Sequence, residues 1–86
     1  MKISVELTLT PLQDDFEPLI IDFIKKLRAS GLTLLENPLS TQVFGSYDQV
    51  MPLLTTEIKE VFEKSDNMLL HMKIVKSDRS SYKPHF

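Results

Sequence analysis

The stretch NPLSTQVFGSYD, residues 37–48, decides the fold of this 86-residue chain. An Asn-Pro turn signal opens it, and residues 40–45 then read as a strand that a glycine ends. Ser46 and Gln49 stand at the spacing of a capping box, so a helix should begin at about Tyr47. The stretch therefore predicts a turn, a strand and a strand-to-helix junction in direct succession.

Three further strands are predicted on either side of this stretch. Residues 32–36 read as a short strand, which should form a hairpin with residues 40–45 across the Asn-Pro turn. Residues 3–10 alternate between apolar and polar side chains, as in a half-buried strand, and Pro11 ends them. Residues 67–75 give the last strand, so the chain should contain four strands.

The first helix is predicted between the first two strands. Apolar side chains recur at helical spacing from Phe16 to Leu27 and define one apolar face. Asp14 and Glu17 match a capping box at the start. Gly31 suits the left-handed position that follows a last helical turn.

The second helix is expected from about Tyr47 to Lys64. Pro52 should kink its first turns or move its start a residue or two later. The resulting order, βαββαβ, is the ferredoxin-like pattern, an α+β fold with a four-stranded antiparallel sheet and both helices on one face. We expect one such domain over residues 1–76, followed by a polar C-terminal tail, residues 77–86.

Composition and charge restrict the function classes. The chain is 42% hydrophobic and 26% charged, with a net charge of −2 and scattered basic residues, which argues against nucleic-acid binding. Cysteine is absent, which excludes disulfides and thiolate chemistry. No apolar run approaches about 18 residues, so we expect no membrane span. The first residues lack the apolar stretch of a signal peptide, and the default expectation is a cytoplasmic protein.

Catalytic and metal sites are not indicated. Glu6 and His71 could meet across strands as an acid–base pair, but a polar cross-strand pair is the simpler interpretation and no third orienting group is evident. The only other histidine, His85, lies in the tail, and no metal-ligand spacing is present. We therefore predict no catalytic residue, no metal and no cofactor. The hydroxyls of Ser40 and Thr41 remain, with local backbone bonding and ligand contact equally weighted.

One face of the predicted sheet lacks helices. If the apolar set of the first strand faces the helices, Ser4, Glu6, Thr8 and Thr10 line the other, open face. The last strand adds apolar residues to that face. Such a mixed surface favours self-association, so we expect a homodimer or homotetramer formed through the open face.

Three segments resemble the YkoF-like family of thiamin- and hydroxymethylpyrimidine-binding domains. They are VELTLTPL (residues 5–12), KLRASGL (residues 26–32) and NPLSTQVFGSYDQV (residues 37–50). The family pattern there includes a strand ending in YPL, a K-x-S-G-L helix end and a P-M-S-T motif. This sequence has Thr10 where the family often has Tyr.

The resemblance implies a ferredoxin-like domain that binds a pyrimidine-type ligand without catalysis and forms oligomers by sheet association. Ser40 and Thr41 match the family's S-T pair and are the first predicted ligand contacts. Pro11 and Leu12 match its P-L pair and could form a pocket wall, and Tyr47 completes the predicted set. The alternative is an oligomerising structural or regulatory module without a dedicated ligand.

Overall fold

The computed structural model describes all 86 residues and contains the predicted four strands and two helices. The strands are β1 (Lys2–Pro11), β2 (Thr33–Glu36), β3 (Thr41–Ser46) and β4 (Met68–Val75), and the helices are α1 (Glu17–Arg28) and α2 (Tyr47–Glu63). Each strand ends within one residue of its predicted bounds. The βαββαβ order of the ferredoxin-like fold is confirmed.

The four strands form one antiparallel sheet in the order β2-β3-β1-β4. Because side chains alternate along a strand, the register assigns every residue to one face. Val5 lies beside Val43 of β3 and Ile74 of β4 on the helix-covered face. Ser4 lies beside Phe44 and Val75 on the open face, as the alternation of β1 predicts.

The core lies between the sheet and the two helices. Nine buried apolar residues form it: Ile3, Val5, Leu7, Phe23, Leu27, Val43, Val50, Leu54 and Val61. Full burial of such a side chain stabilises the fold by about 1.5–3 kcal/mol relative to exposure. On the solvent side, Lys26 and Lys64 each pair with Asp22 and Glu60, which links α1 to α2.

The start of α1 differs from the prediction. The helix begins at Glu17, and Phe16 occupies the N-cap position without any side-chain capping bond. A cap at Asp14 would have placed Pro18 at the first position whose N–H must donate to the helix, and proline has no N–H. The predicted capping box of Asp14 and Glu17 is therefore wrong, because Pro18 is tolerated only in the first turn.

The two remaining helix signals have different outcomes. Gly31 has a φ of 82°, in the left-handed region that the sequence predicts after α1. Ser46 caps α2 by accepting a hydrogen bond from the Gln49 backbone N–H at 3.2 Å. Pro52 lies inside α2, which nevertheless starts at Tyr47, so the start is not delayed.

A difference in strand length creates a recess beside the sheet centre. The pairing of β1 with β3 ends at Leu7 and Thr41, whereas β1 continues to Pro11 against β4 alone. The last residues of β1 therefore have no strand on their β3 side. The turn of residues 37–40 lies there instead, and the recess is where we locate the candidate site.

Candidate functional site

A cavity of about 230 Å³ lies between the turn before β3, the second half of β1 and helix α1. Leu7, Thr8 and Leu9 contribute the strand wall, and residues 37–41 contribute the turn wall. The third wall is apolar and comes from the helix, through Ile20, Phe23 and Ile24. The cavity therefore combines apolar walls with the hydroxyls of the turn.

Three hydroxyl groups line this cavity. Thr8 donates to the carbonyl oxygen of Leu39 at 3.5 Å, and Ser40 donates to a carboxylate oxygen of Glu6 at 3.1 Å. Thr41 is only 9% exposed as a residue, but the only buried side-chain oxygen or nitrogen left without a hydrogen-bond partner is Glu57 Oε2. The Thr41 hydroxyl can donate or accept a hydrogen bond, so it offers a polar contact to a ligand that enters the cavity.

The turn wall is held in shape by Asn37. Its side-chain oxygen accepts from the backbone N–H groups of Leu39 and Ser40, each at 2.9 Å. Its own backbone N–H donates to the Ser40 carbonyl at 3.1 Å. Asparagine commonly closes turns in this way, and here the bonds place Ser40 at the mouth of the cavity.

Charge lies beside the cavity but not in its walls. None of the eleven lining residues is charged. Glu6 lies next to Ser40 on the open face and pairs with Lys73 at 3.8 Å. The interior therefore suits a neutral group with hydrogen-bonding atoms, with one carboxylate available at the rim.

An ion pair fixes β2 next to the turn. Arg28, at the end of α1, donates to both carboxylate oxygens of Glu36 at 2.8 and 2.7 Å. These hydrogen bonds lower the pKa of Glu36 below its ordinary value. Glu36 directly precedes Asn37, so the pair ties the end of the hairpin to the helix that forms the apolar wall.

The structure brings together two of the five residues predicted as ligand contacts. Ser40 and Thr41 line the cavity. Pro11 and Leu12 lie at the same end of the sheet, beyond the lining residue Leu9, and Leu12 is 55% exposed. Tyr47 lies at the other end of β3, where it lines a separate open recess with the first turns of α2.

Several lining residues were not among the predicted contacts. The sequence predicts Asn37 only as a turn residue and Thr8 only as part of the open face. Ile20 and Ile24 are four residues apart on α1, which places both on one helix face. That spacing is visible in the sequence, but it does not show which strand this face of α1 packs beside.

The pair considered for acid–base chemistry is not formed directly. Glu6 lies opposite Lys73 in the β1–β4 register, and His71 lies opposite Thr8. Both residues are on the open face, where they are diagonal neighbours and not a directly opposed pair. The polar partners of Glu6 are Lys73 and Ser40. No group of three or more metal-binding side chains occurs in the structure.

A larger apolar groove lies elsewhere, between α2 and the edge strand β4. It measures about 620 Å³ and is lined mainly by Met51, Leu54, Ile58, Phe62 and Met72. Met72 faces this groove and remains 42% exposed although it lies on the helix-covered face. The groove is shallow and has few polar groups, in contrast to the smaller cavity beside Ser40.

A family model described as "Thiamine-binding protein" matches residues 5–84. The chain belongs to this thiamine-binding protein family. The match covers nearly the whole fold, including most of β1 and the turn that carries Ser40 and Thr41. It confirms the family resemblance of the sequence. A search of proteins with curated functions gave no match.

Solved structures share the fold of this thiamine-binding family member. A Streptococcus pneumoniae protein is 25% identical, with a TM-score of 0.83 and coverage of 94% of this chain and 92% of that one. A Thermotoga maritima protein, provisionally assigned to thiamine biosynthesis or salvage, is 19% identical with a TM-score of 0.79 and coverage of 90% and 85%. A hypothetical protein from Methanocaldococcus jannaschii is 18% identical, with a TM-score of 0.75 and coverage of 90% and 81%.

The helices of this family member are short and amphipathic. Neither α1 nor α2 has the length and apolar character needed to cross a membrane.

Proposed function

We propose that this chain binds thiamin through its hydroxymethylpyrimidine moiety, in the cavity beside Ser40 and Thr41, without catalysing a reaction. The observation that carries the proposal is that Ser40 and the nearly buried Thr41 line one uncharged cavity with apolar walls. The family match supports a thiamine-related ligand.

The size of the cavity favours one ring. At about 230 Å³ it is smaller than the roughly 300–1,000 Å³ that is typical of small-ligand pockets. A single substituted pyrimidine suits this volume better than the two rings of thiamin. We therefore expect the pyrimidine to enter the cavity, and the thiazolium ring of thiamin to remain at its mouth.

The polar groups match a pyrimidine of this kind. Its ring nitrogens accept hydrogen bonds and its amino group donates them, and a hydroxyl such as that of Thr41 can do either. Apolar walls from Ile20 and Ile24 would contact the flat faces of the ring. Glu6 at the rim would lie on the side where the positive thiazolium of thiamin emerges, which favours that orientation.

Calorimetric titration of the full chain tests the proposal. We expect heat of binding from hydroxymethylpyrimidine and from thiamin, and none from the isolated thiazole alcohol. Thr41→Val removes the hydroxyl with little change in shape, and we expect it to weaken pyrimidine binding about tenfold, since one hydrogen bond to a buried group is lost. No heat from either pyrimidine compound at millimolar concentration would refute the ligand assignment.

A matched control separates the site from the fold. Ser46→Ala removes a hydroxyl at the other end of β3, far from the cavity, and should leave the affinity unchanged. A Glu6→Gln variant should weaken thiamin binding while it leaves hydroxymethylpyrimidine binding intact, because only thiamin carries the cation. Equal losses for both ligands would place Glu6 in the pyrimidine site instead of at the rim.

Self-association through the open face is proposed as the second property of the chain. Leu35 and Leu69 lie on this face and are 53% and 45% exposed, which leaves apolar surface that a second copy would cover. This is also the alternative function, an interaction module without a dedicated ligand. A cytoplasmic location remains a prediction from the sequence.

Light scattering across a concentration series tests self-association. We expect a dimer or tetramer for the full chain and a lower mass for Leu69→Lys, which places a charge on the open face. Ile21→Lys is the control, because Ile21 is 44% exposed on α1, away from that face. A monomer at all concentrations would contradict self-association without affecting the ligand proposal.

A further inference from the structure

Ser4 is a buried polar residue on the face of the sheet that has no helices. It lies opposite Phe44 and Val75, both on the open face, yet only 7% of it is exposed. A side chain on a sheet face without helices is normally open to water. Two hydrogen bonds show that another part of the chain lies against Ser4.

The covering segment is the start of the C-terminal tail. The Ser4 hydroxyl donates to the carbonyl oxygen of Ser77 at 2.7 Å and accepts from the backbone N–H of Arg79 at 2.8 Å. One hydroxyl thus satisfies two backbone groups of the tail, more than seventy residues away in sequence. An alanine at this position could make neither bond.

Phe44 gives independent evidence of the same cover. It is 6% exposed but does not belong to the core cluster between the sheet and the helices. Phe44, Ser4 and Arg79 line one cavity of about 170 Å³ on the open face. The tail therefore forms one side of a recess beside a large apolar side chain.

The tail segment is also ordered by bonds of its own. Asp78 accepts from the backbone N–H of Ser80 at 2.9 Å and from its hydroxyl at 2.6 Å, which lowers the pKa of Asp78. Arg79 donates through Nε to the Ser77 hydroxyl at 2.8 Å, and the Tyr82 N–H donates to the Arg79 carbonyl at 3.2 Å. These bonds make residues 77–82 a compact turn.

We propose that residues 77–82 act as a latch that closes over one end of the open face and competes with a second copy of the chain for it. The proposal rests on self-association through that face, as proposed above. The latch lies against Ser4 beside Phe44, whereas Leu35 and Leu69 stay exposed. A second copy that packs over the whole face must displace the latch, so the Ser4 bonds oppose association.

Release of the latch is measured first, by NMR relaxation of the backbone amides of residues 80–86 in the full chain. In the unmodified protein we expect Ser80 to be rigid on the picosecond-to-nanosecond timescale. Ser4→Ala should make it mobile. Thr10→Ala is the matched control, because Thr10 is an exposed hydroxyl residue on the same face of the same strand, and this variant should leave Ser80 rigid.

A second pair of variants alters only the tail. Arg79→Pro removes the backbone N–H that donates to Ser4, whereas Arg79→Ala keeps it and removes the guanidinium. We expect mobility in the proline variant and rigidity in the alanine variant. Since neither substitution lies in the sheet, the comparison of these two variants still tests the latch if Ser4→Ala perturbs folding. A mobile Ser80 in the unmodified chain, or no change in Ser4→Ala and Arg79→Pro, would overturn the latch.

The competition is measured by sedimentation of the same variants. We expect Ser4→Ala, which loses both bonds to the tail, to associate about tenfold more tightly than the unmodified chain, and Arg79→Pro, which loses one of them, to associate more tightly by a smaller factor. Unchanged or weaker association with a mobile tail would overturn the competition while self-association stands. If every variant stays monomeric, self-association and the competition both fail, and the ligand proposal is tested separately by titration.

Discussion

The two ends of β3 carry the same kind of side chain for different purposes. At the far end, Ser46 caps α2 and its hydroxyl is used by the fold. At the near end, Ser40 donates to Glu6 across the mouth of a cavity that Thr41 also lines. A hydroxyl at a strand end therefore indicates a binding site only when it lines a cavity and does not cap a helix.

The largest expected effect is at the structural end. A Cβ on Gly45 would lie 3.1 Å from a methyl of Val50 and 3.2 Å from a methyl of Leu32. Gly45→Val adds three carbons to this contact, so we expect the free energy of unfolding to fall by about 1–3 kcal/mol through overpacking. Chemical denaturation measures the change.

Two observations would weaken that reasoning. Thr33→Val is the control, because it introduces the same β-branched apolar residue at an exposed position of the edge strand β2. We expect it to leave the free energy of unfolding almost unchanged. A Gly45→Val protein of unchanged stability would show that Val50 and Leu32 can move apart. In that case the strand-to-helix junction is less tightly packed than the distances imply.

The next effect is the loss of the helix cap. Ser46→Ala removes the acceptor for the Gln49 N–H, and we expect a loss of about 1 kcal/mol in the free energy of unfolding. Ser46→Asp keeps a capping oxygen and should retain most of the stability. If Ser46→Ala also abolished ligand binding, the assignment of this end to structure alone would be wrong.

Lowering the pH should have a smaller effect on the free energy of unfolding, through the ion pair beside the cavity. The hydrogen bonds from Arg28 lower the pKa of Glu36, so the charged form is favoured in the folded state. The stabilisation is present above the ordinary pKa of a glutamate and is lost as the pH falls through the lowered value. We expect this loss in chemical denaturation between neutral and acidic pH.

A variant isolates the contribution of that ion pair. Glu36→Gln cannot ionise, so its stability should fall less on acidification than that of the unmodified chain. Both side chains of the pair are partly exposed, so the difference should be small and should decrease with added salt. An identical pH dependence in the two proteins would show that Glu36 does not contribute.

The fold was predictable because local signals agreed with one another. Alternation in β1, the Asn-Pro turn, the Ser46 cap and the left-handed Gly31 each restrict the backbone locally, and their order leaves one common topology. The exception was the Asp14 capping box, where two signals conflicted. Pro18 decided the outcome, since a missing N–H is an absolute constraint and a cap is only a preference.

The candidate site was predictable only in part. Ser40 and Thr41 stand together in the sequence, so their pairing needed no tertiary information. The walls from Ile20 and Ile24 depend on where α1 crosses β1, and the recess exists because β1 extends beyond the end of its pairing with β3. Neither property has a local signal. The burial of Ser4 by the tail depends on a contact over more than seventy residues and was equally hidden.

The smallest expected effect on stability sharpens the comparison most. Ser40→Ala removes the bond to Glu6, but water can replace the lost partner at this partly exposed carboxylate, so the free energy of unfolding should change by less than about 0.5 kcal/mol. The same substitution at Ser46 should cost about twice that or more. Ligand titration should give the reverse order, with weaker pyrimidine binding in Ser40→Ala and none of that loss in Ser46→Ala. Denaturation and calorimetry on this pair therefore measure one chemical change at both ends of one strand. If Ser40→Ala proved the more destabilising of the two and bound ligand normally, the Ser40 hydroxyl would be a structural group, and the hydroxyl of Thr41 alone would support the site.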